Sequence, residues 1–379
     1  MARALLAALL LALCFAATRA REIDEPIEAS DDPLRRALGA RADAVEFARA
    51  IAPRPFEFPR DHGAHPDYRT EWWYFTGNLA TDEGRRFGYQ LTFFRIALAP
   101  SVAASPSAWR ARQIYMAHFA LSDIEAGEFY GFERFGRGAL GLAGVSNPPL
   151  SVWVDHWRAR ADADPPLSLR LAAEQSGIAI DLTLAPGKPI VAQGDDGLSR
   201  KSAEPGNASY YYSAPRMPTA GRITIGDRGF DVAGTSWLDR EWSTSALAPD
   251  QIGWDWFALQ LGDGRELMYY RLRRQDGGAD RHSAGTLIGV DGTPVRLAAD
   301  DVRIEVDDHW RSPASGVRYP SAWRVALPGH ALELRITPAL ENQELNLTVR
   351  YWEGAVTVRG TAAGRPLGGV GYVELAGYR

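Results

Sequence analysis

The chain has 379 residues, with 42 Lys+Arg against 47 Asp+Glu, 37 Gly, 24 Pro and one Cys. That length exceeds what one small core organises and points to two domains, while 46% hydrophobic and 23% charged residues exclude wholesale disorder. The formal charge of −5 argues against a duplex nucleic-acid binder, and a single Cys excludes a disulfide framework or a multi-thiolate zinc site.

Residues 1–20 carry Arg3, an apolar run from Ala4 to Ala17, and then Thr18-Arg19-Ala20. This reads as a secretory signal, because the run is shorter than the ~20 residues that span a bilayer. Cleavage after Ala20 would remove Cys14 and leave a mature chain without Cys. Leu11-Ala12-Leu13-Cys14 offers a competing lipid-anchor reading, although Leu13 stands where a small residue is expected. The expectation is an exported protein, periplasmic or secreted, with anchoring at Cys14 as the alternative and no transmembrane segment in the mature chain. Residues 21–55 form an N-terminal extension, acidic and then weakly helical, with Asp32-Pro33 as a cap before Leu34, Leu38, Val45 and Phe47.

From Trp72 onward the pattern is short strands broken by Gly, Asp and Pro turns. Strands are expected at Ile114–Leu121, Ile178–Leu184, Gly221–Ile225, Leu267–Leu272, Leu332–Ile336 and Leu345–Tyr351. An internal repeat lays Trp73–Leu79 over Asp255–Leu261. Each copy is followed by an Asp/Gly/Arg turn and a strand with Phe87 and Tyr89, or Leu267 and Tyr269, on one face. Chance similarity between aromatic hairpins is the alternative. The Pro-rich run Ser213–Pro218 places a boundary at 215/216, giving domains 56–215 and 216–379.

Three segments carry chemistry. In Asp61-His62-Gly63-Ala64-His65-Pro66, two His three apart lack an HExxH helix, so a loop histidine is favoured over a metal ligand, and no metal or cofactor is expected. Glu71, entering a Trp-rich strand beside Trp73, needs a partner: an Arg, or a substrate. Tyr210-Tyr211-Tyr212 must place phenols on both faces of a strand, and Tyr211 is a candidate for a pocket. The densest run is Trp237-Leu238-Asp239-Arg240-Glu241-Trp242. In a strand, Trp237, Asp239 and Glu241 share a face, suited to acid–base work or to an ion network, and Arg240 points the other way into a structural ion pair. The repeat adds Trp254 and Tyr269 as aromatic walls. The candidates are thus Asp239 and Glu241 for chemistry, with Glu71, Trp73, Tyr211, Trp237, Trp254 and Tyr269 binding substrate.

Asp61-His62-Gly63, Tyr68-Arg69-Thr70-Glu71-Trp72-Trp73-Tyr74, Ser199-Arg200-Lys201, Asn207–Tyr212, Ser236–Ser243 and Gly371–Tyr378 together resemble the AttH/CrtC lipocalin-like family. The resemblance implies an all-β chain of two tandem lipocalin-like (calycin-type) β-barrel domains with a cavity near their contact. It also implies carotenoid 1,2-hydratase-like or secreted-hydrolase chemistry. In the family's exported branch, which this chain resembles, the stretch usually reads Asp-His-Glu-Trp where this chain has Asp239-Arg240-Glu241-Trp242, and Arg cannot shuttle protons at neutral pH. Two classes of function remain: a hydratase, or less readily a hydrolase, acting on an apolar lipid- or isoprenoid-like substrate; or a non-enzymatic carrier of hydrophobic ligands, an envelope accessory with an envelope transporter as partner.

Overall fold

The computed structural model describes residues 47–98, 112–163, 166–245 and 247–379. The expected signal segment, Cys14 and the helix after Asp32 lie outside these residues. Among the described residues the chain is all β apart from short 3-10 turns such as Arg60–His62.

Two antiparallel sheets, each curled toward a barrel, account for the strands. Among the described residues the first has 13 strands and the second 10. Each begins with the hairpin that the repeat predicts. Thr70–Ala80 pairs with Arg86–Ala97, and Gln251–Leu261 pairs with Glu266–Arg274. Each opening strand also pairs on its other side with the last strand of its own sheet, Arg228–Ser243 in the first and Arg365–Ala376 in the second. The two sheets therefore share their wiring.

The expected boundary at 215/216 does not divide the sheets. Residues 208–225 form a single strand, Ala208–Ile225; Pro215 is taken up where the register shifts between Ala214 and Met217, and Pro218 stays in register opposite Thr235. A bulge lets a strand absorb residues that cannot donate to the ladder. The first sheet ends at Ser243, and the second starts at Gln251. A second correction concerns Leu345–Tyr351, which is not one strand. Glu344–Asn346 and Arg350–Ala362 pair with each other across a bend.

Strand alternation sorts the side chains into two kinds of core. Inside the first barrel lie Trp73, Phe75, Phe87, Tyr89 and Leu238, among others; inside the second lie Phe257, Leu259, Tyr269, Trp352 and Val373. Both interiors are filled by side chains, as in small barrels generally. The opposite strand faces pack the barrels together through Tyr74, Tyr211, Trp237, Trp256, Met268, Tyr270 and Tyr372. The approach is close: a Cβ on Gly88 would stand 2.5 Å from the Cβ of Ala355. Polar pairs also join the barrels, including Ser122 Oγ donating to Gln343 Oε1 at 2.7 Å and Lys188 with Glu266 at 2.8 Å.

Candidate active site

The cleft lies outside both barrels, where their outer faces meet. It encloses about 1140 Å³, its open mouth included. Trp72, Trp254, Trp256 and Tyr270 wall it, and Asp239, Glu241, Lys201, His118, Tyr351 and Glu374 bring polar groups to it.

Asp239 and Glu241 reach the cleft from the final strand of the first barrel, because residues two apart share a strand face. Asp239 is held from three sides. Ser213 Oγ donates to Oδ1 at 2.5 Å, Trp237 Nε1 donates to the same oxygen at 2.6 Å, and the Tyr211 hydroxyl donates to Oδ2. Burial pushes its carboxyl up, the three donors pull it back, and Glu241 nearby raises it further; the outcome is about 7. Glu241 accepts from Ser209 Oγ and pairs with Lys201 Nζ at 3.2 Å. Lys201 also sits over the Tyr270 ring at 4.1 Å. Burial disfavours its charge, but Glu241 outweighs that and the ammonium is held above its usual range.

The second barrel supplies two carboxyls that the sequence reading did not single out. Glu374 and Glu353 are direct partners on adjacent antiparallel strands. Trp254 Nε1 donates to Glu374 Oε1 at 2.6 Å, and the Tyr74 hydroxyl of the first barrel donates to Glu353 Oε1 at 2.5 Å. Burial lifts Glu374 to about 7, with Trp254 and Glu353 opposing; burial and the facing Glu374 carry Glu353 well above the carboxylate range. A signal was available for both. Each is a lone carboxylate in an apolar strand, Tyr351-Trp352-Glu353 and Tyr372-Val373-Glu374-Leu375, which is the same oddity that singled out Glu71 and Asp239. His118 was missed too. Its Nδ1 lies 2.7 Å from the Tyr351 hydroxyl, and burial pushes the ring down to about 3, so it is neutral at pH 7.

Of the expected wall residues, the structure brings Tyr211 and Trp254 to the cleft and turns three others away, while Glu71 stands at the cleft's edge with its carboxylate on Arg240 and Arg95 inside the first barrel. Trp73 faces the interior of the first barrel, donates Nε1–H to the His62 carbonyl at 2.9 Å and lies under Arg240. Tyr269 is inside the second barrel, and its neighbour Tyr270 takes the cleft position. Trp237 packs in the contact between barrels and serves Asp239 from behind. For Trp73 and Tyr269 the difference is one residue of strand phase, which exchanges faces, whereas Trp237 keeps the face of Asp239 and lies further along the strand.

Arg240 points away from Asp239, into the first barrel. It pairs with Glu71, stacks over Trp73 at 3.8 Å and donates to the Gly63 carbonyl. Glu71 also pairs with Arg95 and accepts from the His65 backbone N–H at 3.0 Å. Burial alone would raise its pKa, but Arg240 and Arg95 hold it far below the carboxylate range. The two loop histidines are tied into this end of the barrel. His62 Nδ1 lies 2.6 Å from the Tyr212 hydroxyl, and His65 stacks on Trp242 at 3.8 Å.

The AttH-like family model matches residues 49–378, nearly all of the described chain. The chain belongs to the AttH-like family. A Nitrosomonas europaea protein assigned as an AttH is 35% identical, with a TM-score of 0.78 over 88% of this chain and all of that one. Kievitone hydratase from Nectria haematococca shares the fold at 15% identity and a TM-score of 0.67, covering 88% of this chain and 96% of that one. CghA crystallised with Sch210972 does so at 15% and 0.51, covering 82% and 89%. Among curated proteins no match is found. Arg240 occupies a place inside the first barrel, separated from the cleft by the strand itself.

Proposed function

We propose that the cleft adds water to a carbon–carbon double bond of an apolar, lipid- or isoprenoid-like substrate, or runs the reverse elimination. The observation that supports this most is Asp239, a carboxyl poised near 7 in a wall of indoles and phenols. In hydration the π pair takes the Asp239 proton to form a C–H bond. The resulting cation is attracted to the faces of Trp72, Trp254 and Trp256. A water oxygen then forms the C–O bond and releases a proton, so the sum is one H₂O added. A fold neighbour named a hydratase is in keeping with this chemistry. Ester cleavage is less well served: the histidine lining the cleft, His118, bonds Tyr351 rather than a serine.

Export with processing after Ala20 is part of the same reading. Incubating the protein in H₂¹⁸O with a panel of isoprenoid and phenylpropenoid alkenes tests the reaction by mass spectrometry. The expected result is labelled alcohol from the wild type and none from Asp239→Asn, with the variant still binding substrate. A wild type that binds these alkenes and never converts them is a carrier.

A further inference from the structure

We propose that Glu374 is the base of this cleft, taking the proton of the attacking water on the wall opposite Asp239, with Glu353 behind it as a permanent hydrogen-bond donor. The proposal rests on the hydratase reading and assigns the half of the reaction that Asp239 leaves open.

The argument begins with the pairing. Glu353 and Glu374 stand opposite each other on neighbouring strands, on the face turned from the barrel core, since Trp352, Val373 and Leu375 fill that core. Glu353 is fully buried and Glu374 half-buried, and among the described residues neither forms an ion pair. Two facing carboxyls without a cation cannot both ionise, so one keeps a proton. Position decides which. Each accepts one donor, the Trp254 indole N–H on Glu374 and the Tyr74 hydroxyl on Glu353, so exposure decides: Glu374 lines the cleft half-buried, where an anion is solvated, and Glu353 is withdrawn behind it, fully buried. A protonated Glu353 turned toward Glu374 gives that anion a second donor.

The proton then has a closed course. Asp239 on the first barrel loses its proton to carbon, water forms the C–O bond, and Glu374 on the second barrel accepts the water's proton. Return of that proton to Asp239 through solvent at the open mouth resets the site, with no other reactant. The titratable and charged groups around Glu374 are Glu353 beside it, Asp239, Glu241 and Lys201 on the facing wall, His118, and the phenols Tyr74, Tyr351 and Tyr372. Lys201 is engaged by Glu241, which leaves Glu374 as the anion facing the substrate.

The test uses N,N-dimethylgeranylamine, whose ammonium stands in for the cation, against geraniol, by calorimetry at pH 7 on the full chain. The expected result is amine binding at least about tenfold tighter than alcohol in the wild type. Glu374→Gln erases that margin, while Glu353→Gln, whose amide still donates, keeps it, and so does Asp239→Asn. A pair with a purely structural role would respond alike to both glutamine variants, and that result overturns the proposal. A margin lost in Asp239→Asn and kept in Glu374→Gln also overturns it, while leaving an acid–base cleft intact. Should Glu374→Gln fail to fold, infrared spectra of wild-type protein with ¹³C-carboxyl glutamate decide. One glutamic acid band persisting at pH 7 and a second titrating around it are expected, and absence of both overturns the assignment.

Discussion

Tyr74 and Trp254 hold matching places in the two opening hairpins, opposite Thr92 and Leu272, and both line one cleft. The repeat therefore has a functional consequence, because each barrel contributes the same strand position to a shared wall. The acids that accompany these rings come from matching strands but not matching positions, since Asp239 is opposite Tyr74 whereas Glu374 is opposite Trp256. Asp239 comes from the last strand of the first barrel and Glu374 from the last strand of the second.

The stability that the cleft acids contribute should fall as pH rises from about 4 to about 7. An acid with a raised pKa in the folded state holds its proton more tightly there than when unfolded. The contribution of Asp239 is therefore complete below the unfolded value of 3.8 and is lost as pH rises through about 7. Glu374 acts in the same direction between 4.5 and about 7. Glu71 has the opposite sign, with stability present above 4.5 and lost only as pH falls through its depressed pKa. Thermal melts across this range should be flatter for Asp239→Asn than for wild type. Parallel curves would show that Asp239 does not titrate there.

Arg240→Ala should be costly, by about 3–5 kcal/mol, because it strips a buried carboxylate of one of its two guanidinium partners. Adding Glu71→Gln should recover part of the loss, which urea titration of the single and double variants measures. Additive losses would mean that the Arg240–Glu71 pair is not coupled.

Adjacent tyrosines should have opposite fates. Tyr269→Ala opens a cavity in the second barrel and should destabilise it by about 3–5 kcal/mol. Tyr270→Ala, in the cleft, should instead weaken binding of an apolar fluorophore several-fold per folded molecule. Equal effects of the two on binding would contradict the face assignment.

Gly88→Val should cost about 1–3 kcal/mol by overpacking the contact between barrels. The obstruction is the Ala355 methyl, so pairing it with Ala355→Gly should restore much of the loss. Chemical denaturation of both variants checks this.

Much of the architecture was legible because strand periodicity, turn residues and the aromatic hairpins are local. Ile178–Leu184 matches its strand from end to end. The boundary at 215/216 failed for a physical reason: prolines mark either a linker or a bulge, and the difference depends on which strand lies alongside. The site shows the same division. Asp239 and Glu241 share one strand, so their common face could be read from spacing. Tyr269 and Trp73 carried no local sign of which face was core, since both faces of these strands are aromatic and both are buried. Glu353 and Glu374 stand 21 positions apart in number, and only strand register makes them neighbours.

The strand Ala208–Ile225 and its partner Arg228–Ser243 sit in the middle of the first sheet, although they come last in it along the chain. A polypeptide interrupted at 245 would thus yield two fragments that each keep a whole sheet, suited to reassociate through the faces that form the cleft. One interrupted at 215 would give an amino-terminal piece lacking most of its central hairpin, and a carboxy-terminal piece carrying that hairpin with nothing to pair it. The first pair of fragments is a candidate for complementation; the second leaves two exposed β-edges and a route to aggregation.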